Sequence, residues 1–191
     1  GNISPYEDMR LESGDDVSVG KKSYARLSLD NDKYVYAEEN TDFQIQAVNE
    51  KRNAKTKIVL KQGAITTEIQ NALKKDSIFD VTTPNSTMSV RGTVYRVNVF
   101  YDEKGDSYTQ LLVYEGTVAS KLVYPNGTIS KEEIKIPAGK GILAHGDMKT
   151  SEYVLFDQNS ALFDVNYEKL PLQALESLME ILKNGKKDVG V

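Results

Sequence analysis

The chain has 191 residues, with 24 Lys and Arg against 28 Asp and Glu, a net charge of −4, no cysteine and a single histidine. Disulfides, zinc knuckles and thiol chemistry are excluded outright, and the scattered basic residues argue against a nucleic-acid partner. With 39% hydrophobic and 27% charged residues and no run approaching the ~20 apolar residues of a membrane helix, the composition is that of a soluble globular domain.

Gly1-Asn2, without an initiator Met, reads as a tag scar, and residues 1–8 as a linker behind a removed N-terminal tether. From residue 9 to 156, short alternating runs punctuated by turn residues predict half-buried strands. Ala25, Leu27 and Leu29 alternate first, followed by Val35 and Ala37 and then by Phe43, Ile45 and Ala47. Ile58 and Leu60 precede the punctuation Lys61-Gln62-Gly63, and Ile65, Thr67 and Ile69 come after it. Phe79 and Val81 lead into Thr82-Thr83-Pro84-Asn85. The next strand changes phase: Met88 and Val90 lie on even positions, whereas Tyr95, Val97 and Val99, beyond Arg91-Gly92-Thr93, lie on odd ones. A bulge at Gly92 produces that switch, because one extra residue moves every later side chain to the opposite face, and the segment reads as a corner of the sandwich.

The strand after this bend is expected to turn back through a Gly-containing loop onto residues 108–115. Asn126-Gly127 suits a tight hairpin turn. Ile134 and Ile136, a Pro-Gly bend, then Ile142 and Ala144 close the series. Leu172, Leu175, Leu178, Met179 and Leu182 recur at helical spacing after Pro171, with Lys183 and Gly185 marking the end. The expected architecture is all-β: an antiparallel two-sheet sandwich, jelly-roll-like, over residues 9–156. A C-terminal extension, 157–191, carries one amphipathic α-helix at about 171–184. That helix is expected to cover an edge or face of its own domain, with docking onto a partner as the alternative.

Chemistry is scarce in this pattern. A Ser-His-Asp hydrolase would have to use His145, and no Gly-x-Ser-x-Gly elbow exists. In Leu-Ala-His-Gly-Asp the imidazole reads as an exposed turn position before Gly146. A metal centre among short strands draws several imidazoles, which one histidine cannot supply, so no metal is expected. Asp30, Asp32, Glu38 and Glu39 bunch together but lack the glycine and closing Glu of a calcium loop, and read as a solvated turn. Asp102 and Glu115 near strand ends are non-specific among 28 acidic residues. Tyr34, Tyr36, Tyr95 and Tyr114 read as strand residues. Tyr101 and Tyr108 are the candidates for stacking on a sugar or anchoring a protein. Arg91 is the candidate for bonding carbonyls freed at the bend or for holding an external anion. No catalytic residue and no cofactor is expected.

With the strands placed, the order of motifs resembles that of FecR-type extracytoplasmic domains from about residue 10 to 147. Gly63 matches the glycine of an L-x-x-G strand, and Thr83-Pro84 precedes the bend Val90-Arg91-Gly92-Thr93. Glu115-Gly116 matches an E-G-x-V step, and Ala138-Gly139 the closing turn. These residues are structural parts of the motif rather than a ligand site. The resemblance implies a two-sheet domain outside the cytoplasmic membrane. Classical members have a membrane helix before it and relay signals from an outer-membrane receptor to a cytoplasmic sigma factor. Without a cytoplasmic regulatory segment, the chain is more similar to the single-domain, membrane-tethered FecR-like proteins of Gram-positive bacteria. The implied function is a non-enzymatic binding or sensing module of the cell envelope, in signalling or scaffolding through a protein or glycan partner. A carbohydrate-binding module using exposed tyrosines is the alternative.

Overall fold

The structure, a computed structural model, describes residues 3–29, 32–50, 53–70, 78–90, 92–158, 166 and 169–188. Its strands form two half-sheets. The first contains β1 (Asp16–Val19), β4 (Thr41–Glu50), β6 (Ile78–Thr82), β7 (Ser86–Val90), β10 (Thr117–Leu122) and β11 (Ile134–Pro137). The second contains β2 (Ala25–Leu29), β3 (Lys33–Ala37), β8 (Val94–Tyr101), β9 (Ser107–Glu115), β12 (Lys140–Gly146) and β13 (Ser151–Asp157). Strand β5 (Asn53–Ile69) belongs to both: its first part pairs with β4 and β6, and its last part with β3 and β8.

The strands therefore make one 13-stranded sheet that is continuous through β5, with β5–β6 as a parallel pair. The all-β architecture with one C-terminal helix is as expected; in place of a two-sheet, jelly-roll-like sandwich the strands form one large curled sheet that is mixed at β5–β6. Both halves turn their alternating apolar side chains onto one core. Phe43, Ile58, Leu60, Phe79, Val81 and Met88 come from the first half, and Val35, Ile65, Tyr95, Val97, Leu111 and Ile142 from the second.

Chain reach makes the bend in β5 obligatory. Lys55 pairs with Ile78, yet Ile78 follows Ile69 by only nine residues. A straight strand from Lys55 to Ile69 would run for roughly 46 Å, whereas nine residues reach about 32 Å at most. The bend falls at Gly63, whose φ of +82° suits glycine. A Cβ there would sit 2.3 Å from Thr41 Oγ1 and 2.6 Å from the Asn40 carbonyl oxygen. Lys61-Gln62-Gly63 is thus a corner within one strand, not a break between two.

The same device recurs wherever a described segment passes between the halves. A positive-φ residue stands at each crossing: Lys22, Asn40, Gly63, Gly92, Gly116 and Gly139. The corner expected at Gly92 is therefore present, and only the bulge invoked to make it is corrected. Met88 and Val90 lie on β7 in one half, Tyr95 and Val97 on β8 in the other, and both pairs face the common core. A strand that changes sheets resets its alternation without needing a bulge at that point. The corners also stack, since a Cβ on Gly116 would lie 2.5 Å from the Gly92 carbonyl oxygen.

Helix α1 (Leu172–Asp188) starts directly after Pro171, whose carbonyl accepts from the Leu175 N–H at 3.1 Å. It continues through Gly185, which sequence spacing marked as the end. Glycine inside a helix costs about 1 kcal/mol relative to alanine, too little to stop it.

Candidate functional site

Strands β9 and β12 hold consecutive buried apolar residues, Leu111-Leu112-Val113 and Ile142-Leu143-Ala144. A strand with one wet face would alternate instead. Their second, outer face is covered by α1. Leu175 and Met179 pack there with Phe100, Tyr108, Leu112, Leu143, Val154 and Phe156. Burying two such side chains stabilises the contact by about 1.5–3 kcal/mol each. The helix thus covers a face of its own domain.

At the end of this face nearest the β8–β9 loop, direct cross-strand neighbours form the row Phe100, Tyr108, His145 and Glu152. Neighbours in such a row stand close enough for rings to meet. Phe100 and Tyr108 stack with centroids 5.1 Å apart, and Tyr108 and His145 with centroids 4.7 Å apart. The loop closes over them. Asp102 Oδ1 accepts from the N–H groups of Lys104 and Asp106 at 2.9 and 3.1 Å, which folds the loop back. Asp106 Oδ2 then lies 3.0 Å from His145 Nε2, and the Tyr108 hydroxyl donates to Asp102 Oδ2 at 3.4 Å. On the other side of the imidazole, Glu152 Oε1 is 3.5 Å from Nδ1. Lys104 of the loop donates to Glu176 of α1.

A cavity of about 370 Å³ opens beside the imidazole, bounded by Tyr108, His145, Glu152, Glu176, Met179 and Glu180. Burial, and then the negative charge of Asp102, hold the Tyr108 phenol above the ordinary tyrosine range, so it remains a neutral donor. The arrangement can take up a cation or a cationic group through carboxylates and one imidazole.

Two expectations are corrected here. His145 is not an exposed turn residue; it lies within β12, its side chain 18% exposed. Register decides this, because pairing continues through Gly146 to Ser107 and Ser151. Tyr108, expected on an exposed face, is 1% exposed under α1. Tyr101 is 47% exposed, but its hydroxyl donates to the Lys61 carbonyl at 2.7 Å. It lines a different concavity of about 500 Å³ with Asp16, Asp42 and Lys61. The pair required for a tyrosine-based sugar platform is not brought together.

Arg91 and Asp30 lie outside the described residues. Asp32, Glu38 and Glu39 do not converge: Asp32 pairs with Lys33, Glu38 with Arg96, and Glu39 accepts from the Lys22 N–H. Glu115 is exposed at the end of β9, Thr93 is buried beside the Gly92 corner, and Pro84 is exposed at the β6–β7 turn. Beside Pro84 sits a polar network that sequence reasoning missed. The buried Asn85 amide donates to the Ser107 and Ala144 carbonyls, and the hydroxyls of Thr83 and Thr109 are 2.8 Å apart. It joins the β6–β7 turn of one half to β9 and β12 of the other.

Comparison with known proteins agrees with this fold. The model of the FecR protein family matches residues 15–119. Two crystal structures, at 1.65 and 2.50 Å resolution, of a candidate anti-sigma factor from Parabacteroides distasonis ATCC 8503 resemble the chain, each with a TM-score of 0.57 and 12% identity. Each alignment covers 75% of this chain and 60% of the other, so the chain spans only part of that relative's length. No curated protein matches. Among the described residues no helix is long and apolar enough to cross a membrane, which leaves strand-built spanning aside.

Proposed function

Because the chain belongs to the FecR protein family, we propose that it is a non-enzymatic regulatory module in envelope signalling, extracytoplasmic and held at the membrane by a preceding segment. The observation that carries this reading is the family match over residues 15–119, which includes the corners Gly63, Gly92 and Gly116. Residues 9–156 form the sensing domain, and the helical extension closes its outer face. The partner is a protein. The glycan alternative depended on Tyr101 and Tyr108 presenting rings together, and Tyr108 is buried. Likeness to an anti-sigma factor supports a role in transcriptional control through that partner.

Two measurements on the full-length protein in its native cell test this. Alkaline phosphatase fused after Val191 is expected to be active, placing the domain outside the cytoplasm; an inactive but stable fusion would overturn the location. Transcript profiles of a deletion strain are expected to change in a defined gene set and to be restored by the wild-type gene but not by Gly116→Val. An unchanged profile would reject the signalling role.

A further inference from the structure

The β8–β9 loop and β12 bring one ligand atom each of Asp102, Asp106 and His145 within 4.8 Å of one another. We propose that these three residues bind a divalent transition-metal ion of the zinc or manganese kind, and that the ion locks the loop onto the face covered by α1. A single histidine cannot supply a centre of several imidazoles, but this donor set needs only one.

Four observations converge on it. One imidazole with two carboxylates is a ligand set of borderline-to-hard character, suited to Zn²⁺ or Mn²⁺ rather than to a soft ion. The 3.0 Å between His145 Nε2 and Asp106 Oδ2 is close to the separation of two neighbouring ligands held at about 2.1 Å from one cation, about 3.0 Å in octahedral and about 3.4 Å in tetrahedral geometry. Outer groups are already in place. Glu152 lies 3.5 Å from His145 Nδ1, where a carboxylate orients a metal-bound imidazole, and the Tyr108 hydroxyl donates to Asp102. Finally, the adjoining cavity of about 370 Å³ gives an entry path and room for water ligands. Glu152, Glu176 and Glu180 line it, and Lys104, which donates to Glu176, belongs to the same loop as the two aspartates.

A simple His–Asp ion pair explains one of these contacts but not the set. It needs a single carboxylate, whereas here Asp102 and Asp106 crowd together and Glu152 faces the other ring nitrogen. A divalent cation would bring both aspartates and the imidazole onto one centre, with Glu152 left to orient the ring from its other nitrogen. The ion would join residues from both sides of the loop to β12. Its binding would also steady the Lys104–Glu176 bridge to α1, tying helix docking to metal supply.

The test uses metal-stripped protein titrated separately with Zn²⁺, Mn²⁺, Mg²⁺ and Ca²⁺ by calorimetry, with melting temperature read in parallel. One saturable equivalent of Zn²⁺ or Mn²⁺ with a raised melting temperature is expected, and weaker binding of Mg²⁺ and Ca²⁺. Asp102→Asn, Asp106→Asn and His145→Gln should each weaken binding by at least about tenfold, and Glu152→Gln by a comparable or smaller factor. Asp16→Asn, in the other half-sheet, should leave it unchanged. Cobalt(II) gives a readout independent of stability, because ligation by the imidazole produces visible absorption bands that His145→Gln removes. Circular dichroism identifies any variant that fails to fold, and Glu152→Gln with the cobalt spectrum then carries the test. Absence of saturable binding by Zn²⁺ and Mn²⁺ at millimolar concentration would overturn the proposal. So would binding that survives all three ligand substitutions, which would mark adventitious surface sites.

Discussion

β8, β9, β12 and β13 bury an apolar inner face and, around Phe100, Leu112, Leu143 and Val154, an apolar outer patch, yet the two are sealed by different means. The inner face meets the other half of the same sheet, and strands that cross at Gly63, Gly92, Gly116 and Gly139 fasten the two together. The outer face meets α1 through Leu175 and Met179, with Lys104 and Glu176 at one end. Opening the inner face means breaking ladder hydrogen bonds; opening the outer one means undocking a single helix. Low-stability elements are where ligand-dependent changes occur, and the imidazole, phenol and carboxylates are gathered on the outer face. The division puts the cohesion of the two half-sheets on one side of these strands, and the docked helix with its cluster of titratable groups on the other.

The largest effect is expected at a corner. In Gly116→Val the new Cβ would lie 2.5 Å from the Gly92 carbonyl and 2.8 Å from Thr93 Cγ2, at a φ of +75°. Strain and clash together should cost about 4 kcal/mol or more, and urea unfolding should show both faces lost in one transition. Wild-type stability in this variant would refute the stacked corners. Leu175→Ala comes next, at about 2–4 kcal/mol of helix docking. Hydrogen exchange should speed up in α1 while the β5 amides stay protected. Equal loss of protection in β5 would show that the outer face is integral to the fold and would remove the distinction between the two.

The corners were legible in the sequence because they disturb a period. Ile58 and Leu60 give way to Ile65 and Thr67 across Gly63, just as Met88 and Val90 give way to Tyr95 and Val97 across Gly92. A phase change at a glycine records a strand changing sheets, although it reads equally well as a bulge or as a break. The outer site had a fainter signal. Leu111-Leu112-Val113 and Ile142-Leu143 announce burial on both faces, but nothing local identifies the covering element. Asp106 and His145 are 39 residues apart, and only the register of β9 with β12 brings them together. The Thr83–Asn85 network was hidden for the same reason: a polar turn between strands reads as solvated until its long-range partners are known.

The smallest effect is expected from Tyr95→Phe, which probes the inner face with a polar group of its own. Tyr95 is fully buried, and its hydroxyl lies close enough to Thr67 to feel it without completing a hydrogen bond. Removing a buried, unsatisfied hydroxyl should change stability at neutral pH by no more than about 1 kcal/mol, toward greater stability. Alkaline pH separates the two faces further. Burial holds the Tyr95 phenol well above the ordinary tyrosine value, as burial and Asp102 hold Tyr108. Once the pH exceeds about 10, the unfolded chain loses protons that the folded chain keeps. Stability therefore falls as pH rises, by up to about 1.4 kcal/mol per pH unit for each such phenol. Absorbance near the tyrosinate band should show these two residues titrating only as the protein unfolds. Tyr95→Phe should make the alkaline decline shallower by one phenol's share, and Leu175→Ala should release Tyr108 alone to titrate earlier. If Leu175→Ala released both phenols together, the inner and outer faces would be opening as one unit.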